Sequence, residues 1–353
     1  MSRFFSNKYR ALTPYTPGEQ PKDMRYVKLN TNESPFPPSE KTVAYAREEL
    51  NKVNLYSDPE CVELRKTASE VLGVGYNEIV FTNGSDDALN FAFMAFCDQT
   101  RPIVFPALTY GFYPVFAKLN DIPYETVALK DDFSIDYRDY LNLNKTIVIA
   151  NPNAPTGKAL PLDQIEQIVK TNDSVVIIDE AYIDFGGVSA IPLTKKYDNL
   201  LVVQTFSKSR SLAGARLGYA IGNEKLIADI NTLRYSTNPY NINRVTSALG
   251  VGALKDNDYY IKNCKIIANN REYLTEKLTK LGFTVIDSSA NFVFAKADFI
   301  GGEKLYLELK KRGVLIRHFT GKTVNEYNRI TIGTKEQCDI LLEKISEIKD
   351  GAI

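Results

Sequence analysis

Lys208 lies a few residues beyond the apolar run Leu201–Val203, in Thr205-Phe206-Ser207-Lys208-Ser209, and Arg216 follows within Ala213-Gly214-Ala215-Arg216-Leu217-Gly218. A primary amine at a strand end can form a Schiff base with an aldehyde. Neighbouring hydroxyls and a guanidinium suit a phosphate, and small residues let backbone approach a ligand closely. Most lysines are solvated surface charges, but placement at a strand end among anion ligands argues against that here. Asp179 closes the run Val175–Ile178. A carboxylate there loses hydration and needs a cationic or hydrogen-bonding partner, which a protonated cofactor ring or a structural salt bridge would supply. Thr82-Asn83-Gly84-Ser85-Asp86 follows Ile79–Phe81 and opens a helix. Such a start attracts anions, although the same residues are also plain N-cap chemistry. Asn151-Pro152-Asn153-Ala154-Pro155-Thr156-Gly157 follows Thr146–Ala150 as a rigid loop whose amides either bind a ligand oxygen or simply make a turn.

Taken in chain order, these segments meet the needs of pyridoxal 5'-phosphate. Its aldehyde takes Lys208, its ring nitrogen takes Asp179, and its phosphate takes Ser85, Asp86, Thr205, Ser207 and Arg216. Tyr110, in Leu108-Thr109-Tyr110-Gly111 beyond the run Ile103–Phe105, offers a ring to stack on it. The one histidine, His318, cannot furnish a multi-histidine metal site, so acid–base work falls to carboxylates, lysine or a cofactor.

The elements that must position these groups are legible as an alternation of strands and helices. Five short runs are apolar on consecutive positions, as in strands covered on both faces: Ile79–Phe81, Ile103–Phe105, Thr146–Ala150, Val175–Ile178 and Leu201–Val203. A helical stripe (Leu162, Ile165, Ile168, Val169) joins two of them into a βαβ unit, which predicts an α/β domain with a mostly parallel sheet. Asp58 as N-cap, Pro59 at the first helical position and Gly73 at the end bracket another helix. After about residue 240 the pattern suits a smaller α+β domain, with a long helix ending at Gly282. The expected division is an arm (1–28), a large domain (29–240) and a small domain (241–353). In 353 residues, 43 basic side chains balance 43 acidic ones, which removes the argument for a nucleic-acid or anionic-membrane partner. No apolar run reaches membrane-spanning length and the N-terminus lacks a secretory pattern. The dispersed Cys61, Cys97, Cys264 and Cys338 are expected to be buried small hydrophobes in a cytoplasmic protein.

These residues together resemble the fold-type-I aminotransferases and, within them, the histidinol-phosphate aminotransferase family. The resemblance runs over nearly the whole chain: Leu12-Thr13-Pro14-Tyr15, the segment from Leu29 to Pro35, Tyr56, TNGSDDAL, LTYGFY, NPNAPTG, DEAYIDF, TFSKSRSLAGARLGY and Arg329–Gly333. It implies a large cofactor-binding domain with a smaller α+β domain, and a ping-pong transfer of an amino group between histidinol phosphate and 2-oxoglutarate, in histidine biosynthesis. Lys208 would be the Schiff-base lysine and proton shuttle, Asp179 would keep the ring nitrogen protonated, and Tyr182 would bond the phenolic oxygen. Arg329 would grip the substrate carboxylate, Tyr15 and Arg317 would meet a distal phosphate, and Asn32 would lie in the substrate site. Tyr56 would reach the cofactor phosphate of a neighbouring subunit, which implies a homodimer. Three positions depart from the family pattern: Ala154 replaces an asparagine that contacts the phenolic oxygen, with Asn153 as the candidate substitute; Asp87 replaces Glu; Ser57 replaces Pro. His318, beside Arg317, is a further candidate contact.

Other activities fit parts of the same sequence. A phosphothreonine or phosphoserine decarboxylase would need similar anion ligands, and an aminotransferase with another, aromatic donor the same cofactor set. A non-catalytic protein could keep the fold, although the intact Lys208, Asp179 and Arg216 argue against it. A nucleotide-binding oxidoreductase lacks both a GxGxxG after an early strand and a Walker A segment.

Overall fold

The computed structural model describes residues 2–10 and 12–351. Met1, Ala11 and residues 352–353, which belong to the expected arm and small domain, lie outside the described residues. The chain begins with a short strand, β1 (Val27–Lys28), and then builds a seven-stranded sheet. Its strands are β2 (Ile79–Thr82), β3 (Ile103–Pro106), β4 (Tyr124–Val127), β5 (Thr146–Ala150), β6 (Val176–Asp179), β7 (Leu200–Thr205) and β8 (Gly218–Gly222), in the order β2-β8-β7-β6-β5-β3-β4. All run parallel except β8, which is antiparallel to both of its neighbours. The fold is the mostly parallel α/β arrangement expected.

The consecutive apolar residues divide between two cores. Val148, Ile177, Leu201 and Val203 pack beneath α3 (Ser85–Phe96) and α6 (Glu224–Thr237). Their neighbours Ile147, Ile149, Val176, Ile178 and Val202 face α5 (Leu162–Lys170) on the other side. Both faces being covered, an alternating polar pattern has no place in these strands. Two strands escaped the sequence reading. The edge strand β4 is half-exposed and lacks an apolar run, and β8 reads as a string of small residues.

The helix expected from Asp58 begins later, as α2 (Val62–Leu72), because Cys61 takes a left-handed conformation (φ 49°). Asp58 still serves the chain entering it, accepting hydrogen bonds from the N–H groups of Glu60 (2.9 Å) and Val62 (2.8 Å). Gly73 terminates it with φ 67°, as its position in the sequence predicts. Across α2 and α1 (Glu40–Leu50) lies α7 (Arg244–Lys255), whose Val251 and Leu254 share a core with Leu64 and Ile221.

A second, antiparallel sheet has the order β12-β13-β10-β9, from β9 (Phe283–Ile286), β10 (Phe292–Ala297), β12 (Arg317–His318) and β13 (Asn328–Thr331). It packs with the long α8 (Asn257–Lys280), α9 (Gly302–Lys311) and α10 (Lys335–Lys349) around Phe292, Leu305 and Leu341. Short α4 (Tyr113–Leu119) belongs to the first unit, and β11 (Val314–Leu315) pairs in parallel with β1. We propose the division into arm, large and small units near the sequence-derived bounds, with two refinements: Val27–Leu29 side with the small unit through β11 and the core around Leu29, and α7 sides with the large one. All four cysteines are buried and unpaired, and burial pushes their thiols up to about 11 or 12. Among the described residues no helix is long and apolar enough to cross a membrane.

Arg271 of α8 ties the two units together. Its Nη1 donates to the carbonyls of Phe185 (2.9 Å), in the one-turn helix Ile183–Phe185, and of Ala290 (2.7 Å), next to β10. Arg271→Met strands two carbonyls in a partly buried place, so it should lower stability by about 1–3 kcal/mol. Urea unfolding checks this, with Arg271→Lys losing less.

Candidate functional site

In an open sheet of this kind ligands collect beyond the carboxyl ends of the strands. There β6 ends in Asp179, and Lys208 lies three residues past the end of β7, its parallel neighbour. An inner cavity of about 150 Å³ opens at this edge, walled by Asp179, Lys208, Tyr110, Tyr182, Ala154 and an anion cradle. The cradle is Ser85 at the start of α3, Thr205 and Ser207 beyond β7, and Arg216.

Two glycines make the cradle possible. A Cβ on Gly84 (φ 85°) would lie 2.6 Å from Arg216 Nη2, and one on Gly218 would lie 2.2 Å from the Ser85 nitrogen. Their bareness lets the guanidinium and the helix start converge, concentrating positive potential where a phosphate would sit. Cradle, amine, strand-end carboxylate and aromatic wall together fit pyridoxal phosphate.

Asp179 is 5 % exposed. Burial raises its carboxyl to about 6 against two hydrogen bonds that lower it, from Tyr113 Oη to Oδ2 (2.8 Å) and from the Ala181 N–H to Oδ1 (3.2 Å). Lys208 donates to the Thr31 carbonyl at 3.1 Å. Burial, reinforced by the Arg329 charge, lowers its ammonium to about 8. Both shifts come mainly from lost hydration. Asp86 lines the inner cavity with the cradle, in the first turn of α3. Its Oδ1 accepts from Tyr110 Oη (2.8 Å) and its Oδ2 from Arg216 Nη2 (3.1 Å). A carboxylate repels phosphate, so the side chain holds the ring and the guanidinium in place and leaves the backbone N–H at the helix start for an anion.

Asn153 is not brought to the inner cavity. Its amide is spent on the Leu108 carbonyl (2.9 Å) and the Thr109 hydroxyl (2.8 Å), and it borders a different surface depression. Ala154 stands on the cavity wall instead. Of this loop's residues, Ala154 and not Asn153 lines the inner cavity.

A second, outer cavity of about 360 Å³ shares Tyr110, Ala154, Tyr182 and Lys208 with the inner one. Tyr15, Asn32, Arg317, Phe319 and Arg329 line the rest. Tyr15 lies against Phe112, with ring centroids 4.3 Å apart. Asn32, in a left-handed conformation (φ 56°), donates to Tyr182 Oη at 3.0 Å, and its Oδ1 accepts from Thr331 Oγ1 at 3.0 Å. Arg329 donates through Nη2 to the Asn30 carbonyl (3.0 Å) and is flanked by the rings of Phe292 and Phe319. Its buried Nε has no partner. An unspent donor on a buried cation calls for an anion. Arg317 braces the arm through the carbonyls of Thr16 (3.3 Å) and Pro17 (3.4 Å).

Besides Asn153, Tyr56 and His318 fall outside these cavities. Tyr56 is 78 % exposed and stacks on Tyr240. His318 stacks on Tyr306, with Nδ1 3.3 Å from Asn328 Oδ1. Sequence reading missed Thr31 and Tyr113. The second tyrosine of LTYGFY was the available signal for Tyr113; for Thr31, which acts through its carbonyl, there was none. Among the described residues no group of three or more His, Cys, Asp or Glu is placed to hold a metal.

The profile of a family described as aminotransferase class I and II matches residues 25–345. A protein of Brachyspira hyodysenteriae named histidinol-phosphate aminotransferase is 51% identical over 99% of both chains. One of the same name from Clostridium beijerinckii is 45% identical over 98% of this chain and 97% of its own. Among solved structures, the histidinol-phosphate aminotransferase of Clostridium acetobutylicum superposes with a TM-score of 0.85 at 26% identity, covering 92% of this chain and 99% of that one. That of Sinorhizobium meliloti, solved with pyridoxal-5'-phosphate, has the same fold, with a TM-score of 0.87 at 22% identity over 99% of each chain.

Because its ammonium is lowered to about 8, Lys208 should be mostly neutral at mildly alkaline pH. The rate at which cofactor-free protein captures pyridoxal phosphate should rise through pH 8 and level off above roughly pH 9, whereas an unperturbed lysine would keep rising to about 10.4. Stopped-flow absorbance across pH measures it.

Proposed function

The chain belongs to the class I and II aminotransferase family and, at the identities found, to its histidinol-phosphate aminotransferase branch; from that premise we propose that it moves an amino group between histidinol phosphate and 2-oxoglutarate, using pyridoxal phosphate held in the inner cavity. The observation that carries this reading is that Lys208 belongs to both cavities, the inner lined by the cofactor set and the outer by two arginines.

When bound, pyridoxal phosphate supplies an aldehyde to take up the amino group and a conjugated ring to delocalise the electron pair left at the substrate Cα. The protein's part is positional and protonic. Lys208 Nζ would hold the aldehyde of the bound cofactor and, as a free amine, would take up or return a proton at the substrate Cα. A lowered ammonium suits both tasks, since the neutral amine attacks and accepts a proton. Asp179 would meet the ring nitrogen and keep a proton there. Tyr182 Oη, oriented by Asn32, would donate to the phenolic oxygen. Ser85, Thr205, Ser207 and Arg216 would hold the phosphate, with Asp86 steadying Arg216, and Tyr110 would cover a ring face.

Arg329 meets the anionic group next to the substrate Cα, helped by its unspent Nε. Arg317 and Tyr15, at the mouth, would add contacts to the phosphate of histidinol phosphate, that substrate's one anionic group, and to the distal carboxylate of 2-oxoglutarate. One outer cavity serving a phosphate monoester and a dicarboxylate in turn is what a ping-pong exchange requires. We read the exposed apolar strip Leu50, Val53, Leu55, Tyr56 and Tyr240 as the face of a cytoplasmic homodimer, with Tyr56 reaching the partner's phosphate site.

Purified protein given histidinol phosphate and 2-oxoglutarate should yield glutamate and the matching ketone phosphate. Carbon dioxide released without any oxo acid would instead identify a decarboxylase, and no glutamate from this pair would end the reading. Lys208→Ala should cut turnover by at least about 10²–10⁴-fold through loss of proton transfer alone, with the fold intact by circular dichroism. Arg329→Lys gives up the bidentate fork and should raise KM for both substrates by roughly 10–100-fold, the worth of one hydrogen bond to a charged group. Steady-state kinetics checks both variants.

A further inference from the structure

Tyr113 is a fully buried side chain that reaches the site through Asp179, and the chemistry described above leaves it without a task. It opens α4, is fully buried, and is clamped between the rings of Phe105 and Tyr110, each 5.7 Å away between centroids. Its hydroxyl has one partner, Asp179 Oδ2, at 2.8 Å. The residue three positions earlier, Tyr110, walls the inner cavity. A single turn of chain thus supplies both the ring that covers the cofactor position and the hydroxyl that props the carboxylate beneath it.

We propose that Tyr113 is a positioning residue that acts through Asp179 to keep the proton of the Asp179–pyridine hydrogen bond on the ring nitrogen. This rests on the proposed role of Asp179 toward pyridoxal phosphate. A carboxylate and a pyridine can share one proton as an ion pair or as neutral acid and neutral base. Burial favours the neutral arrangement, since charge is costly in a site of low polarity. Donors to the carboxylate oppose this, because they stabilise its anionic form alone. Asp179 has two such donors, the Ala181 N–H and the Tyr113 hydroxyl, and only the second is a side chain. Burial and the neighbouring Asp179 charge hold the Tyr113 phenol far above its ordinary value, so it remains a donor throughout the working pH range. Edge-on packing against Phe105 and Tyr110 holds the phenol in place, and its hydrogen bond steadies the carboxylate.

The test compares cofactor-free wild type with Tyr113→Phe for the affinity of pyridoxal phosphate and of its 1-deaza analogue, which lacks the ring nitrogen. Tyr113→Phe should weaken pyridoxal phosphate about 10-fold, the worth of one hydrogen bond to a charged group, and the deaza analogue less than about 2-fold. In an Asp179→Asn background the same change should have no further effect on either ligand. Equal weakening of both ligands, or no weakening of pyridoxal phosphate, overturns the inference, because packing alone would then account for Tyr113. Should Tyr113→Phe fail to fold, the double variant with Asp179→Asn should fold, since the unsatisfied charge is gone; failure of both overturns it. A wild type that binds neither ligand defeats the proposed function and this inference with it. A wild type that prefers pyridoxal phosphate, beside a variant keeping that preference, defeats this inference alone.

Discussion

Holding a carboxylate and an amine side by side out of water is the constraint around which this molecule is arranged. Asp179 ends β6 and Lys208 follows β7, its parallel neighbour. Adjacent parallel strands deliver their carboxyl ends to the same edge, so the two groups meet without any long loop between them. Neither is comfortable there: burial raises the acid to about 6 and lowers the amine to about 8. Each shift moves the group toward the protonation state in which it exchanges protons near neutrality. Six strands buried along their whole length make that displacement sustainable.

The remaining parts relieve or exploit this arrangement. Tyr113 and Ala181 keep Asp179 satisfied from behind, while the Thr31 carbonyl holds the lysine. The segment 29–32 therefore has a double duty. Leu29 belongs to the small unit's core, Asn32 links Thr331 to Tyr182, and the carbonyls of Asn30 and Thr31 receive Arg329 and Lys208. A stretch of four residues so couples the position of Arg329, in the outer cavity, to that of the amine. Glu180, next to Asp179, turns the other way and is engaged by Ser189, Ala190 and Gln204, which leaves Asp179 as the acid at the end of β6 that faces the cavity.

Electrostatics also explains the division between the cavities. The inner one joins a helix start and Arg216 with Asp86 as internal counter-charge, so a dianion entering it finds positive potential already held in place. The outer one carries Arg329, lowered by burial and with an unspent Nε, and Arg317, which is tied to the arm carbonyls at the mouth. Small anionic substrates are therefore drawn past the arm toward the deeper cation.

The sequence by itself determined the strand runs, the α/β class and most of the inner site, because strand-end chemistry follows directly from where an apolar run stops. Lys208, Asp179, Ser85, Tyr110, Thr205, Ser207 and Arg216 were legible for that reason. The start of α2 was not, since the left-handed turn at Cys61 carries no compositional mark, and β8 was hidden among small residues read for their ligand chemistry. Only the tertiary structure decided which neighbour faces the cavity. It turned Asn153 away and Ala154 in, gave Asp86 to Tyr110 and Arg216, and set Tyr113 behind Asp179. Those outcomes depend on side-chain direction across segments 20 to 130 residues apart in the chain, which one-dimensional spacing does not encode.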